Sequence, residues 1–380
     1  MTLIGLLKKQ MKLLMRFYKY TPLKMGDYHH KGNNMKIEQI SNHINRILVF
    51  LFSLAMAIFS FVNNVQADSK SLILSLPIDC LPNYTCFIQN YVDIDPTKQA
   101  RDYACSSSTY DGHKGVDFRL LSTKASSDGV NVLAAAAGVI KARRDGLVDR
   151  LIIDINDPSI QNQECGNGVV IEHGNGWETQ YCHMRQGSVL SKIGDRVTQG
   201  QVIGKVGYSG LAQFAHLHIS VRHDGKIIDP FTATGVDNSC NASPNIKAGL
   251  WDNSVREVFI YKNGALIESG FATTPVKSVD LEAGNKPAIP TSISASAIVI
   301  YARFINLKKG DKISFEIIGP AGEIISNTTK PLQRNKAQYV AYSGKKQPKE
   351  SWQQGVYKAQ IKLIRENEII MQKENKVELF

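Results

Sequence analysis

The sequence predicts a mainly β protein built of two β-rich domains, and three observations carry that expectation. Between residues 111 and 232, short Val- and Ile-rich runs recur with Gly and Asn/Asp between them. No convincing amphipathic helix interrupts that stretch. From Trp251 on, runs such as 312–318 and 355–365 alternate apolar and polar residues, the period of a half-buried strand. The chain of 380 residues is long enough for two cores, and its 43% hydrophobic and 21% charged residues exclude disorder as the main state. With one strongly apolar run, a polytopic membrane protein is excluded as well.

The elements follow in chain order. Residues 47–62 (ILVFLFSLAMAIFSFV) carry no charge, follow Arg46 and precede Val65-Gln66-Ala67, where small residues suit a signal peptidase. Residues 1–67 therefore read as leader and signal peptide, cleaved after Ala67, since the apolar run is shorter than the roughly 20 residues of a membrane span. Met35 is the more ordinary start, with 1–34 an upstream extension. The expectation is export across the inner membrane to the periplasm or cell envelope, with no stable membrane span after cleavage. The formal charge is +11, but residues 1–67 hold nine Lys/Arg and two acids, which leaves 11 − 7 = +4 for the rest. Nucleic-acid binding loses its main support on that count.

All six Cys (Cys80, Cys86, Cys105, Cys165, Cys182, Cys240) lie after Ala67, and an even count in an exported chain reads as three disulfides. Cys165 precedes the run GNGVVIEH and Cys182 lies near the end of WETQYCH, with Gly174-Asn175-Gly176 between as a hairpin turn. The midpoint of the two Cys falls on that turn, so Cys165–Cys182 is the expected pair. The other pairings stay open.

Residues 68–110 read as an irregular, Cys-containing lead-in. Residues 111–232 hold strand candidates at 115–120, 131–135, 138–143, 168–173, 177–184, 196–197, 202–206, 217–222 and 226–228. Residues 233–250 are polar and breaker-rich, a linker. Residues 251–380 carry strand candidates at 256–262, 297–304, 312–318, 338–342 and 355–365, spaced as in a β-sandwich of immunoglobulin-like kind. Trp251, Tyr261, Tyr301 and Trp352 read as core rather than as a glycan-stacking surface.

Five residues in 111–232 stand out for chemistry. His216 and His218 flank Leu217, and in a strand residues i and i+2 share a face, so two imidazoles sit side by side. By itself such a pair is more often two surface His. His113 and Asp117 change that: two imidazoles and a carboxylate make a three-ligand set for Zn²⁺ that leaves the fourth position open, the form that hydrolytic sites take. His183 is the fifth. Strand parity places Trp177, Thr179, Tyr181 and His183 on one face, taken to be that of the site, and Glu178, Gln180 and Cys182 on the other. That parity argues against Glu178 as a base beside His183. His173 and His223 flank turns and read as surface His. No H-E-x-x-H is present, which excludes a helix-borne zincin site.

The run from Tyr110 to Phe231 resembles the M23 (LytM-type) zinc metallopeptidase family. H-x-G-x-D stands as His113-Lys114-Gly115-Val116-Asp117, and Y-x-H as Tyr181 and His183. Gly194 to Gly204 give G-D-x-V-x-x-G-Q-x-I-G, His216 to His218 give H-L-H, and Asp229 to Phe231 close the run with D-P-F. The resemblance implies a LytM-type β-sheet peptidase domain with Zn²⁺ held by His113, Asp117 and His218. It implies His216 as general acid/base and His183 as its helper at the tetrahedral oxyanion. It implies an exported endopeptidase that cleaves peptidoglycan stem-peptide cross-bridges, with room for a regulatory partner protein. Two readings from other classes stand beside it: a non-catalytic LytM-type regulator, and a cell-wall-binding protein. A biotinyl- or lipoyl-carrier domain would need a Lys at an exposed hairpin tip, and none stands between matching strands.

Overall fold

The computed structural model describes residues 72–380, apart from Asn238, Ser239, Ala242 and Glu323. The expectations for the leader and signal peptide lie outside the described residues. Among those described, no helix is long and apolar enough to cross a membrane.

The lead-in is not irregular throughout. It supplies strand β1 (Cys86–Asn90), which pairs antiparallel with β2 (Val116–Leu120). A short helix α1 (Thr123–Gly129) follows where none was expected. Its signal is a cap rather than an apolar face: Ser122 accepts the Ala125 N–H at 3.2 Å, and only Ser126 of the helix is buried. Then come β3 (Asn131–Leu133), β4 (Gly138–Arg144), β5 (Asn167–Gly174) and β6 (Trp177–Met184). The β5–β6 hairpin turns at Asn175 and Gly176, both at positive φ, as the Gly-Asn-Gly signal demands. Next are β7 (Arg196–Val197), β8 (Val202–Lys205), β9 (His216–His223), β10 (Lys226–Asp229) and β11 (Thr234–Gly235). The main sheet runs β1-β2-β9-β6-β5-β4-β7, with β10 hairpinned from β9 and β11 beyond it; β3 and β8 pair separately. Its core holds Val116, Phe118, Leu120, Val169, Ile171, Tyr181, Leu217 and Ile219.

The strand expected at 256–262 is replaced by helix α2 (Asn253–Val258). Asp252 caps it by accepting the Val255 N–H at 3.0 Å, and Trp251, Val255 and Phe259, four apart, bury one face in the core of the main sheet. The composition shift at Trp251 thus does not coincide with the change of core. After β12 (Ala265–Ala272) and helix α3 (Ser278–Ala283) come β13 (Ala297–Leu307), β14 (Lys312–Ile318), β15 (Ile324–Thr328), β16 (Lys336–Lys346), β17 (Gly355–Arg365) and β18 (Glu368–Leu379).

These strands form two antiparallel sheets, β12-β13-β16 and β15-β14-β17-β18, that share a core of Ile298, Ile300, Phe304, Phe315, Tyr357 and Ile361. The fourth strand lies in the second sheet, whereas a constant-type immunoglobulin domain keeps it in the first. Tyr301, Trp352 and Trp251 are buried, as expected of core aromatics. The three disulfides are Cys80–Cys86, Cys105–Cys240 and the expected Cys165–Cys182.

Candidate metal and catalytic site

Pairing of β2 with β9 sets the site. Asp117 stands opposite His218 and Arg119 opposite His216. Val116, Phe118, Leu217 and Ile219 fill the core, so the alternate residues share the other face. His113 enters from the turn before β2, held by its N–H to Tyr110 O at 3.0 Å. Gly115 lets that turn lie against the ligand: a Cβ there would stand 2.4 Å from Ile219 O and 2.6 Å from His218 Nε2.

Three atoms converge. His113 Nε2 is 3.1 Å from Asp117 Oδ1 and 3.1 Å from His218 Nδ1, and His218 Nδ1 is 2.8 Å from Asp117 Oδ1. Ligands about 2.0–2.1 Å from a tetrahedral Zn²⁺ stand about 3.3 Å apart, close to this spacing. A carbonyl partner fixes the tautomer of His113, and a hydroxyl partner accommodates the matching one of His218. His113 Nδ1 is 2.6 Å from Tyr91 O, a carbonyl that can only accept, so the proton sits there and Nε2 faces inward bare. His218 Nε2 lies 3.0 Å from Ser220 Oγ, which leaves Nδ1 free to ligate. Two lone pairs and a carboxylate aimed at one point repel unless a cation joins them, so the donor set fits the expected metal.

Beside this set lie two further imidazoles, with His183 and His216 ring centroids 4.5 Å apart. The parity expected for β6 needs correction here. Tyr181 and Thr179 point into the core, and Cys182, opposite His218, is the residue on the site face. His183 reaches the site because the alternation breaks at its own backbone, which is left-handed with φ 60°. Its N–H bonds Cys165 O at 2.8 Å, and its Nδ1 donates to Ser209 O at 2.8 Å. His216 Nδ1 donates to Phe214 O at 2.8 Å, which leaves Nε2 bare, 3.6 Å from Asp117 Oδ1.

The model of peptidase family M23 matches residues 111–230. Residues 111–230 are an M23 peptidase domain. The chain is 34% identical over 120 residues to the DD-carboxypeptidase/endopeptidase Mpg of Neisseria meningitidis serogroup B, 31% of this chain and 22% of that one. It is 36% identical over 104 residues to the peptidoglycan DD-endopeptidase ShyC of Vibrio cholerae, 27% of this chain and 22% of that one. It is 29% identical over 148 residues to the stage II sporulation protein Q of Bacillus subtilis, 38% of this chain and 44% of that one. The chain thus spans about a fifth of the length of the first two relatives.

Within the M23 domain, all five expected residues meet at one place: His113, Asp117, His183 and His216 are buried, and His218 is nearly so. Burial pushes the His183 pKa well below the usual value, and the neighbouring His216 and His218 add to it. Burial also lowers His216 and His218, against the pull of Asp117. Burial alone would raise Asp117, but the imidazoles of His113, His216 and His218 around it hold it well below the carboxylate range.

Glu178 shares the site face with Cys182, against the expected parity. It stands four residues back from Cys182 along β6 and is tied to Lys141 and Arg222, so distance rather than parity keeps it from acting as a base beside His183. His223 stacks on Trp177 outside the site. His173 is correctly outside it but only half exposed, bonded to Ala137 O and Thr179 Oγ1 at 2.8 Å each. Sequence reasoning missed the residues that orient the ligands. Asn90 donates to Asp117 Oδ2 at 2.8 Å and Tyr91 O holds His113, both from the lead-in. Ser209, Phe214 and Ser220 do the same for His183, His216 and His218. Only Ser220, two residues from His218 on the same strand face, carried a signal, since parity puts it beside the ligand.

Proposed function

We propose that this chain is an exported zinc-dependent endopeptidase that cleaves peptide cross-bridges of bacterial peptidoglycan. The observation that carries it is the convergence of His113 Nε2, Asp117 Oδ1 and His218 Nδ1 on one point, with the bare Nε2 atoms of two neutral imidazoles alongside. A Zn²⁺ held there would lower the pKa of a water toward about 7 and polarise the scissile carbonyl. His216 is anchored through Nδ1, so its Nε2 takes a proton from water and returns it to the leaving amine. His183 is anchored the same way and kept neutral by burial, so its Nε2 accepts a hydrogen bond rather than donates one. Orienting the attacking water suits it better than the oxyanion role that the resemblance implies. The substrate rests on relatives named as peptidoglycan endopeptidases.

The test is zinc stoichiometry on the chain from Asp68 together with amine release from purified peptidoglycan. We expect about one zinc per chain. His216→Ala should keep the metal and lose at least about a hundredfold in turnover. His113→Ala or His218→Ala should lose the metal itself. A His216→Ala variant at the wild-type rate would remove the acid/base assignment. A chain with no zinc and no activity would favour a regulator, in line with the relative named for sporulation rather than for a reaction.

A further inference from the structure

An ion cluster behind His216 draws on both halves of the chain. Arg119, opposite His216 in the β2–β9 pairing, is fully buried. Its guanidinium carbon lies 4.7 Å from the centre of the Phe214 ring. That ring packs 4.4 Å from the His216 imidazole, and the Phe214 carbonyl holds His216 Nδ1. Arg119 Nη2 donates to Glu282 Oε2 at 3.0 Å, and Nη1 donates to Gln89 Oε1. Glu282 belongs to α3, in the C-terminal half. Arg303 of β13 grips the same carboxylate with Nη2 and donates from Nη1 to Leu121 O at 2.7 Å.

A buried guanidinium needs a counter-ion, and here the M23 domain takes its counter-ion from outside residues 111–230. We propose that Glu282 is a positioning residue for His216. The carboxylate fixes Arg119, Arg119 lies against the face of Phe214, and Phe214 fixes the His216 ring by packing and through its carbonyl. The C-terminal sandwich thereby completes the peptidase site instead of only carrying it to the wall. The inference rests on the peptidase reading above.

A purely structural ion cluster makes a different forecast, because buried ion triads can often be replaced by apolar side chains of similar volume without loss of fold. The experiment uses the full chain as wild type, Glu282→Gln, Glu282→Asp and the triple variant R119M/E282L/R303M. Zinc content, kcat and KM on purified peptidoglycan, and the NMR signal of the His216 Nδ1–H proton are read on each. We expect Glu282→Gln and the triple variant to keep zinc and a KM within about twofold, and to lose about tenfold in kcat, as small misplacements of a catalytic group do. Glu282→Asp should recover part of that loss, and the His216 proton should broaden wherever kcat falls. If Glu282→Gln does not fold, the triple variant decides. Wild-type kcat with an unchanged His216 signal in either folded variant overturns the positioning role. A wild-type chain without any cleavage instead defeats the peptidase reading, and the His216 signal alone then decides the positioning.

Discussion

Asn90 and Ser220 touch no metal position, yet each aims a ligand. Asn90 Nδ2 holds the Asp117 oxygen that is turned away from the imidazoles, and Ser220 Oγ holds the outer nitrogen of His218. Losing either frees a ligand to rotate, so Asn90→Ala or Ser220→Ala should weaken zinc binding about 10- to 100-fold, read by competition with a chelator. Asp229, in the D-P-F that closes the M23 domain, makes a separate forecast. Its Oδ1 accepts the N–H groups of Phe231 and Thr232, while Oδ2 is buried with no partner. Burial raises its pKa to about 7, against those two hydrogen bonds. The sign follows from linkage. Between the unfolded carboxyl value near 4 and about 7, the folded chain keeps a proton that the unfolded chain has released, so this group's contribution to stability falls as pH rises. Asp229→Asn should therefore flatten the decline of Tm between pH 5 and 8 and raise Tm at pH 8. An unchanged pH profile would show the carboxyl to be ionised throughout.

At the scale of elements, the β5–β6 hairpin joins stability to the site. The disulfide Cys165–Cys182 closes it over a sequence separation of 17 residues. A loop of that length is worth about 3 kcal/mol by chain entropy. The same hairpin positions His183, whose backbone N–H is held by Cys165 O at the break in strand alternation. The double variant Cys165→Ser/Cys182→Ser should lose about 3 kcal/mol in denaturant unfolding. It should also lose turnover with zinc retained, because none of the three metal ligands lies on that hairpin. A variant that lost stability alone would separate the disulfide from the site.

For the molecule as a whole, residues Ser71–Phe380 form one unit. Trp251, Val255 and Phe259 from beyond the M23 domain complete its core. Phe87 of β1 packs with Ala265, Ile267 and Ile305. Asn306 donates to Gln89 O at 2.7 Å. A chain ending at residue 250 should therefore lack three core side chains and leave Arg119 without its carboxylate. Each fully buried large apolar side chain contributes about 1.5–3 kcal/mol, so that loss rivals the whole stability of an ordinary domain. We expect the truncated chain to give a weak near-UV circular dichroism signal and rapid amide exchange. A cooperative unfolding transition like that of the full chain would show the M23 domain to be independent.

The sequence by itself determined the mainly β class, most strands of the M23 domain, one disulfide and the five residues of the site. Those depend on local period and on motif spacing, which the chain carries in one dimension. Asp117 with Phe118 and His216 with Leu217 each alternate between site and core, and that alternation is readable without a partner strand. Tertiary structure alone decided the rest. Thr179 and Tyr181 face the core and Cys182 the site, the reverse of the expected parity, because left-handed His183 breaks the period and no neighbour in sequence announces it. The helix at Asn253–Val258 replaced a strand because Trp251, Val255 and Phe259 found a core to bury one face in, a contact made with residues far away in the chain. Tyr91, Asn90 and Glu282 became part of the site or its support only when β1 and α3 docked. Such hydrogen bonds and ion pairs join segments more than 20 residues apart, and their energy arises only when folding removes both partners from water.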